Sequence, residues 1–320
     1  MALGLWAAPR LLRGYGGLAS AVLAPSEQAV AANCSPELWR HRVPHQGKDW
    51  DNGDMPWIDV EGAANMRDLG GTPTEDGGQI VPRTLLRSDN LQGLTARDVA
   101  RLVGDIGVTT IVDLRTPGEV ATEGPGPLDD VPGIRHVYYS VLPQFPSRQD
   151  EVARALLSEK LARDAERYPD DVTTGHYLGY LEDRPAEVAA ALRAIATSEG
   201  AAIVHCAAGK DRTGVIVAMA LSAAGVGREA VIADYALTAE RIDAILARLT
   251  GSRTYADDTS DKPTAAHTPR PETMKAFLEQ LDVRYGGLTE WLSGNGFTDE
   301  DRTRLRSRLR EPSAARTLGL

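Results

Sequence analysis

Residues 201–204 read Ala-Ala-Ile-Val, and no polar side chain interrupts the run to face water. A strand with one wet face alternates polar and apolar residues, so a strand apolar on both sides belongs inside a sheet covered above and below. The stretch continues as AAIVHCAAGKDRTGVIVAMALSAAG through residue 225, so a short turn at 207–212 separates the strand from a helix expected from Thr213 to about Ala224. A second run of the same kind, VTTIVDL, occupies 108–114. Each run follows a helical pattern. Thr95 with Asp98 three residues on reads as a capping box and Gly107 as the stop; Pro185 sits at a first helical turn and Gly200 ends the second helix. Helices alternating with short apolar strands predict a three-layer α/β/α fold with a largely parallel central sheet.

Further helices are expected over 150–167, 228–249 and 272–293, and a capping box at Thr298 and Asp301 opens a last one. Between 249 and 272 lies TGSRTYADDTSDKPTAAHTPRP. It exceeds the ~12 to 15 residues that a connection without structure or function usually spans, and reads either as a lid over a site or as an irregular excursion. The pattern sharpens from about residue 61, and the boundaries, set by the resemblance described below, are a partly disordered N-terminal extension at 1–56, one domain at 57–311 and a disordered tail at 312–320.

The formal net charge of −10 excludes an overall field that attracts nucleic acid or anionic lipid. Any anionic ligand must therefore be held locally. No apolar run approaches the ~18 residues of a membrane span, so no stable insertion is expected. Cys34 and Cys206 are the only cysteines, too few for a disulfide framework, which suggests a reducing compartment, the cytoplasm, with export left open. The first residues imitate a targeting segment loosely, but Pro9, Arg10 and Arg13 break its apolar stretch. Cys34, His41 and His45 lack a fourth ligand, and neither metal nor other cofactor is expected.

The loop at 206–212 carries the chemistry. Backbone N–H groups between a strand and a helix N-terminus can curl around a tetrahedral anion, helped by the helix dipole. Ala207, Ala208 and Gly209 keep side chains out of such a cradle, and Gly209 can take the positive φ a tight turn requires. Arg212 offers a planar fork for two phosphate oxygens, and Lys210 a point charge for substrate. A cysteine at a strand end is often inert core. Beside a helix N-terminus and an arginine, however, a thiol ionises readily, and Cys206 can attack phosphorus. His205 can orient the sulfur through the backbone, and the Thr213 hydroxyl can stabilise it as it leaves. A nucleoside triphosphate loop, G-x-x-x-x-G-K-[ST], is not formed, because Asp211 follows Lys210 and the upstream glycine is missing.

HCAAGKDRTG resembles the signature loop of bacterial atypical tyrosine phosphatases, cysteine-dependent enzymes whose loop reads H-C-x-x-G-K-D-R-T. NMRDLGG at 65–71, LLRSDNL at 85–91, IVDLR at 111–115, DYALTAE at 234–240 and YGGLTEWLSGNGFTDEDRTRLRSRL at 285–309 extend the resemblance in order, with Met66 where an aromatic residue is expected. It implies metal-free hydrolysis of phosphomonoesters, chiefly protein phosphotyrosine, with phosphoserine, phosphothreonine or phosphoinositide as further substrates. Cys206 is then the nucleophile and Arg212 the phosphate clamp. Asp211 is the leading candidate for the general acid, since a neighbouring dianion favours its protonated form. Asp113 is the second candidate, or else half of a buried ion pair with Arg115. Arg67 and Asp68 are expected to order a turn. A phosphate-binding module without catalysis is the alternative from another class.

Overall fold

A computed structural model describes residues 56–143, 151–256 and 263–311. The predicted tail at 312–320, the predicted extension apart from Pro56, and with it Cys34, His41 and His45, lie outside the described residues. Five strands form one sheet: β1 (Arg67–Asp68), β2 (Leu85–Ser88), β3 (Val108–Asp113), β4 (Arg135–Tyr138) and β5 (Ala201–His205), in the order β1-β2-β5-β3-β4. Every pairing except that of β1 with β2 is parallel.

The fully apolar run is the central strand, as its composition requires. Every residue of β5 is buried, and its alternating side chains enter two cores. Ile203 packs with Leu86, Leu102 and Ile111 on one face, whereas Val204 joins Leu85, Val112 and a larger helical cluster on the other. Each such aliphatic side chain contributes roughly 1.5 to 3 kcal/mol when fully buried. The register aligns Ser88 of β2, His205 of β5 and Asp113 of β3, so these strands end together at one edge. The carboxyl edge of a parallel sheet is where such folds place their ligands.

Twelve α-helices are described around this sheet: α1 (Ala96–Ala100), which runs on as a π-helical turn over Arg101–Ile106, α2 (Pro117–Glu123), α3 (Glu151–Arg167), α4 (Val172–Asp183), α5 (Pro185–Ala196), α6 (Asp211–Ala224), α7 (Arg228–Leu237), α8 (Ile242–Thr250), α9 (Thr264–His267), α10 (Pro271–Tyr285), α11 (Leu288–Gly294) and α12 (Asp299–Leu309). The capping boxes at Thr95 and Thr298 form as their spacing predicts.

Two expected helices are interrupted. The segment 228–249 divides at a 3₁₀ turn over Thr238–Arg241. The cause is tertiary: the Arg67 guanidinium takes the Asp234 carbonyl at 2.7 Å, and the Thr238 N–H, its usual helical partner, turns to Tyr235 and Ala236 instead. The segment 272–293 divides at Gly286 and Gly287, whose φ values of 80° and 118° end α10. Helix α4 is not evident in the sequence pattern. Its Gly175 admits α3 so closely that an added Cβ would lie 1.9 Å from the Asp164 carbonyl oxygen.

Candidate active site

The turn after β5 is built so that its carbonyls face the protein and its amides do not. The Ala207 carbonyl accepts from the Asn90 N–H at 2.9 Å. The Asn65 side-chain amide donates to the Ala208 and Gly209 carbonyls, at 3.1 Å each, and Arg87 donates to Gly209 at 2.7 Å. His205 Nδ1 lies 3.3 Å from the Cys206 carbonyl. By contrast, among the described residues none of the N–H groups of 207–213 donates to a protein acceptor. A turn with its acceptors engaged and its donors free is a receptor for an anion.

Gly209 makes this turn possible for two reasons. Its φ is +65°, and a Cβ would come within 2.3 Å of the Ser88 carbonyl oxygen. No other residue satisfies both the conformation and the space.

The groups that pull the carbonyls outward come from far along the chain. Arg67 holds the Asn65 side chain at 2.6 Å and Asp234 at 2.8 Å, and Arg87 reaches the other Asp234 oxygen at 2.5 Å. Both arginines are fully buried. Burial opposes the Asp234 charge, but the two guanidiniums outweigh it and hold the carboxyl below the usual range. Arg67 therefore bridges β1 to α7, and Asp68 orders the adjoining turn by accepting from the Gly70 and Arg83 N–H groups.

Cys206 closes β5 at the start of this turn and is 2 % exposed, bordered by the larger core on its strand side. Arg212, in the first turn of α6, is also buried. Burial works against its charge, yet the Glu119 carboxylate beside it holds it well above its ordinary value. Glu119 accepts from both terminal nitrogens, Nη1 at 2.7 Å and Nη2 at 2.8 Å, and Nη1 also reaches the Leu114 carbonyl. Such end-on pairing leaves the Nε–H and the second Nη2 hydrogen, the two donors on one side of the guanidinium, without a partner among the described residues. Two phosphate oxygens fit that fork.

Glu119 is one of the residues that sequence reasoning misses. It is held by a capping box at the start of α2, where the Thr116 N–H donates to its Oε2 at 2.7 Å, and by the Tyr255 hydroxyl at 2.7 Å. Burial penalises its charge, and Arg212 overrides this to keep the carboxyl well below the usual carboxylate range. The T-x-x-E spacing is legible as a helix start, but its second partner lies 93 residues away.

The two acid candidates separate clearly. Asp113 has both oxygens taken by Arg115, at 2.6 to 3.0 Å, and is 2 % exposed. His205 Nε2 stands 3.6 Å from it, neutral because burial pushes the imidazole down to about 4. Asp211 instead opens α6, with its side chain 32 % exposed. Its Oδ1 accepts from Lys210 Nζ at 2.8 Å and from the Tyr177 hydroxyl at 2.7 Å. Burial raises it, but Lys210 and Tyr177 hold it below its ordinary value in the protein alone. The Thr213 hydroxyl is buried with no partner among the described residues, as a group awaiting a ligand would be. Lys210 also lines a cavity of about 250 Å³ with Thr173, Tyr235, Thr268, Arg270 and Thr273.

An amide-lined turn, a cysteine before it and an arginine whose side fork has no partner among the described residues form an arrangement that can bind a phosphate ester and attack it. Residues 58–311 match the model of the tyrosine phosphatase family, and the chain belongs to that family as a protein-tyrosine phosphatase. It is similar to the triple specificity protein phosphatase PtpB of Mycobacterium tuberculosis, 29 % identical over 78 % of this chain and 97 % of the relative. A tyrosine-protein phosphatase of Nostoc commune is 26 % identical over 93 % of this chain and 95 % of its own length. No described helix is long and apolar enough to cross a membrane.

Proposed function

We propose that the chain hydrolyses phosphomonoesters, chiefly protein phosphotyrosine and also phosphoserine and phosphothreonine, through a phosphocysteine. The carrying observation is that, among the described residues, the side fork of Arg212 and the amides of the turn that follows Cys206 have no partner. The Cys206 sulfur, in the thiolate form that attacks, forms the S–P bond as the P–O bond to the leaving group breaks. Asp211 gives its proton to the departing oxygen. Water then attacks phosphorus and Asp211 takes a proton from it. The S–P bond breaks to release inorganic phosphate, with the Thr213 hydroxyl stabilising the sulfur that leaves. Ala207, Ala208, Gly209 and Lys210 supply the amide cradle, Arg212 neutralises the equatorial oxygens, and His205 and Asp113 support the turn from behind.

Phosphoinositide is a second reading, favoured by Lys210 and Arg270 around the adjoining cavity. Rates on a phosphotyrosine peptide and on an inositol lipid, measured side by side, decide between them. The hydrolytic reading is tested with a chromogenic aryl phosphate in the presence of a chelator. Wild type turns over and Cys206→Ser binds phosphate without turnover; equal activity in the two refutes the covalent route, and no turnover in wild type leaves a binding module.

A further inference from the structure

Lys210 and Asp211 are adjacent in sequence, and the lysine spends its contact on the group that must deliver a proton. Both donors to Asp211 converge on Oδ1, and among the described residues no hydrogen bond reaches Oδ2. The two donors differ in kind. Tyr177 is fully buried on α4; because its hydroxyl hydrogen goes to Asp211, the Tyr235 hydroxyl of α7, 2.8 Å away, must donate to it. Burial, then Asp211, keeps both phenols well above their ordinary values, so that donor chain is fixed. Lys210 has three N–H donors on a flexible stem, its side chain is 15 % exposed, and it lines the cavity that Arg270 shares.

We infer that Lys210 is the positioning residue that arms the acid: it pairs with Asp211 in the free enzyme and swings to an anionic group of the substrate at the cavity, freeing Asp211 to hold its proton on Oδ2. The inference rests on Asp211 as the proton donor. The other groups that face Asp211 do not supply the change. Arg212 is pinned by Glu119, and Tyr177, Tyr180 and Tyr235 remain neutral phenols under burial. His176 of α4 is pushed down, first by burial. Among the described residues, Lys210 is the charged neighbour of Asp211 with somewhere else to go.

The test is the pH dependence of kcat/KM and kcat on an aryl phosphate with a poor leaving group, which report the free and the substrate-bound enzyme. In wild type the limb where activity falls with rising pH lies lower in kcat/KM than in kcat. Lys210→Met keeps the stem without the charge; it moves the kcat/KM limb up by about one pH unit and narrows the gap to kcat. Lys210→Arg restores the wild-type profile. Tyr177→Phe moves both limbs together and keeps the gap, because the phenol stays in place throughout. An unmoved limb in a folded Lys210→Met, or no gap in wild type, overturns the inference. The underlying reading fails separately: if Asp211→Asn slows good and poor leaving groups equally, Asp211 is not the donor, whatever Lys210 does.

Discussion

Two of the arginine–carboxylate pairs at the carboxyl edge of the sheet differ in what they leave open. In Arg115–Asp113 the guanidinium gives its Nε and Nη2 to one carboxylate and its terminal nitrogens to the Gly124 carbonyl, and both partners are sealed. In Arg212–Glu119 the carboxylate takes the end of the guanidinium, and the side fork has no partner among the described residues. Both are buried ion pairs, and burial alone does not distinguish scaffold from machinery. The distinction lies in donor capacity: a closed pair can only support, whereas an open pair can hold an anion.

Arg212→Lys tests that distinction most severely. It keeps the charge and loses the fork, and kcat on a phosphotyrosine peptide is expected to fall by about 10²- to 10³-fold. Asp211→Asn is next, slowing esters of poor leaving groups by about 10²-fold and those of good ones far less, as read from a leaving-group series. Glu119→Gln keeps the shape of the counter-clamp without its charge; a fall in kcat of about tenfold, roughly 1.4 kcal/mol, is expected with a folded enzyme. Asp113→Asn reverses the pattern. Breaking that sealed pair removes about 3 kcal/mol of stability in denaturant unfolding, while kcat changes by less than about threefold. A large loss of kcat with unchanged stability in Asp113→Asn would make it machinery after all.

Acid unfolding sharpens the comparison in another direction. Asp113, Glu119, Asp211 and Asp234 all keep their carboxyls below the ordinary range against the opposing effect of burial, through nearby cations and hydrogen bonds. Groups lowered in the folded state stabilise it above their unfolded values, about pH 4, and that contribution disappears as pH falls through the lower folded values. Asp234→Asn should therefore flatten the loss of stability below about pH 4, measured as Tm against pH.

The part of the site that is local in sequence was readable there. Cys206, Gly209, Lys210, Asp211 and Arg212 lie on one turn, and the apolar run before it placed that turn at a sheet edge. What could not be read arrives through the fold. Glu119 reaches Arg212 across 93 residues and Asn65 reaches the Gly209 carbonyl across 144. Tyr177 carries the Asp211 contact on a helix whose pattern gave no sign of it, and Arg67 breaks a helix by taking a carbonyl 167 residues away. The α/β layering followed from periodicity and composition; the second ring of side chains is set by three-dimensional neighbours that no spacing records.

The account turns on the sulfur of Cys206 carrying the phosphoryl group. Enzyme mixed with phosphotyrosine peptide, denatured within a turnover and read by mass spectrometry at the peptide bearing Cys206, tests this directly. A phosphoryl adduct on that cysteine, rising during turnover, decaying as substrate runs out and missing from Cys206→Ala, is the predicted result. Turnover without an adduct, or with the adduct on another residue, contradicts it.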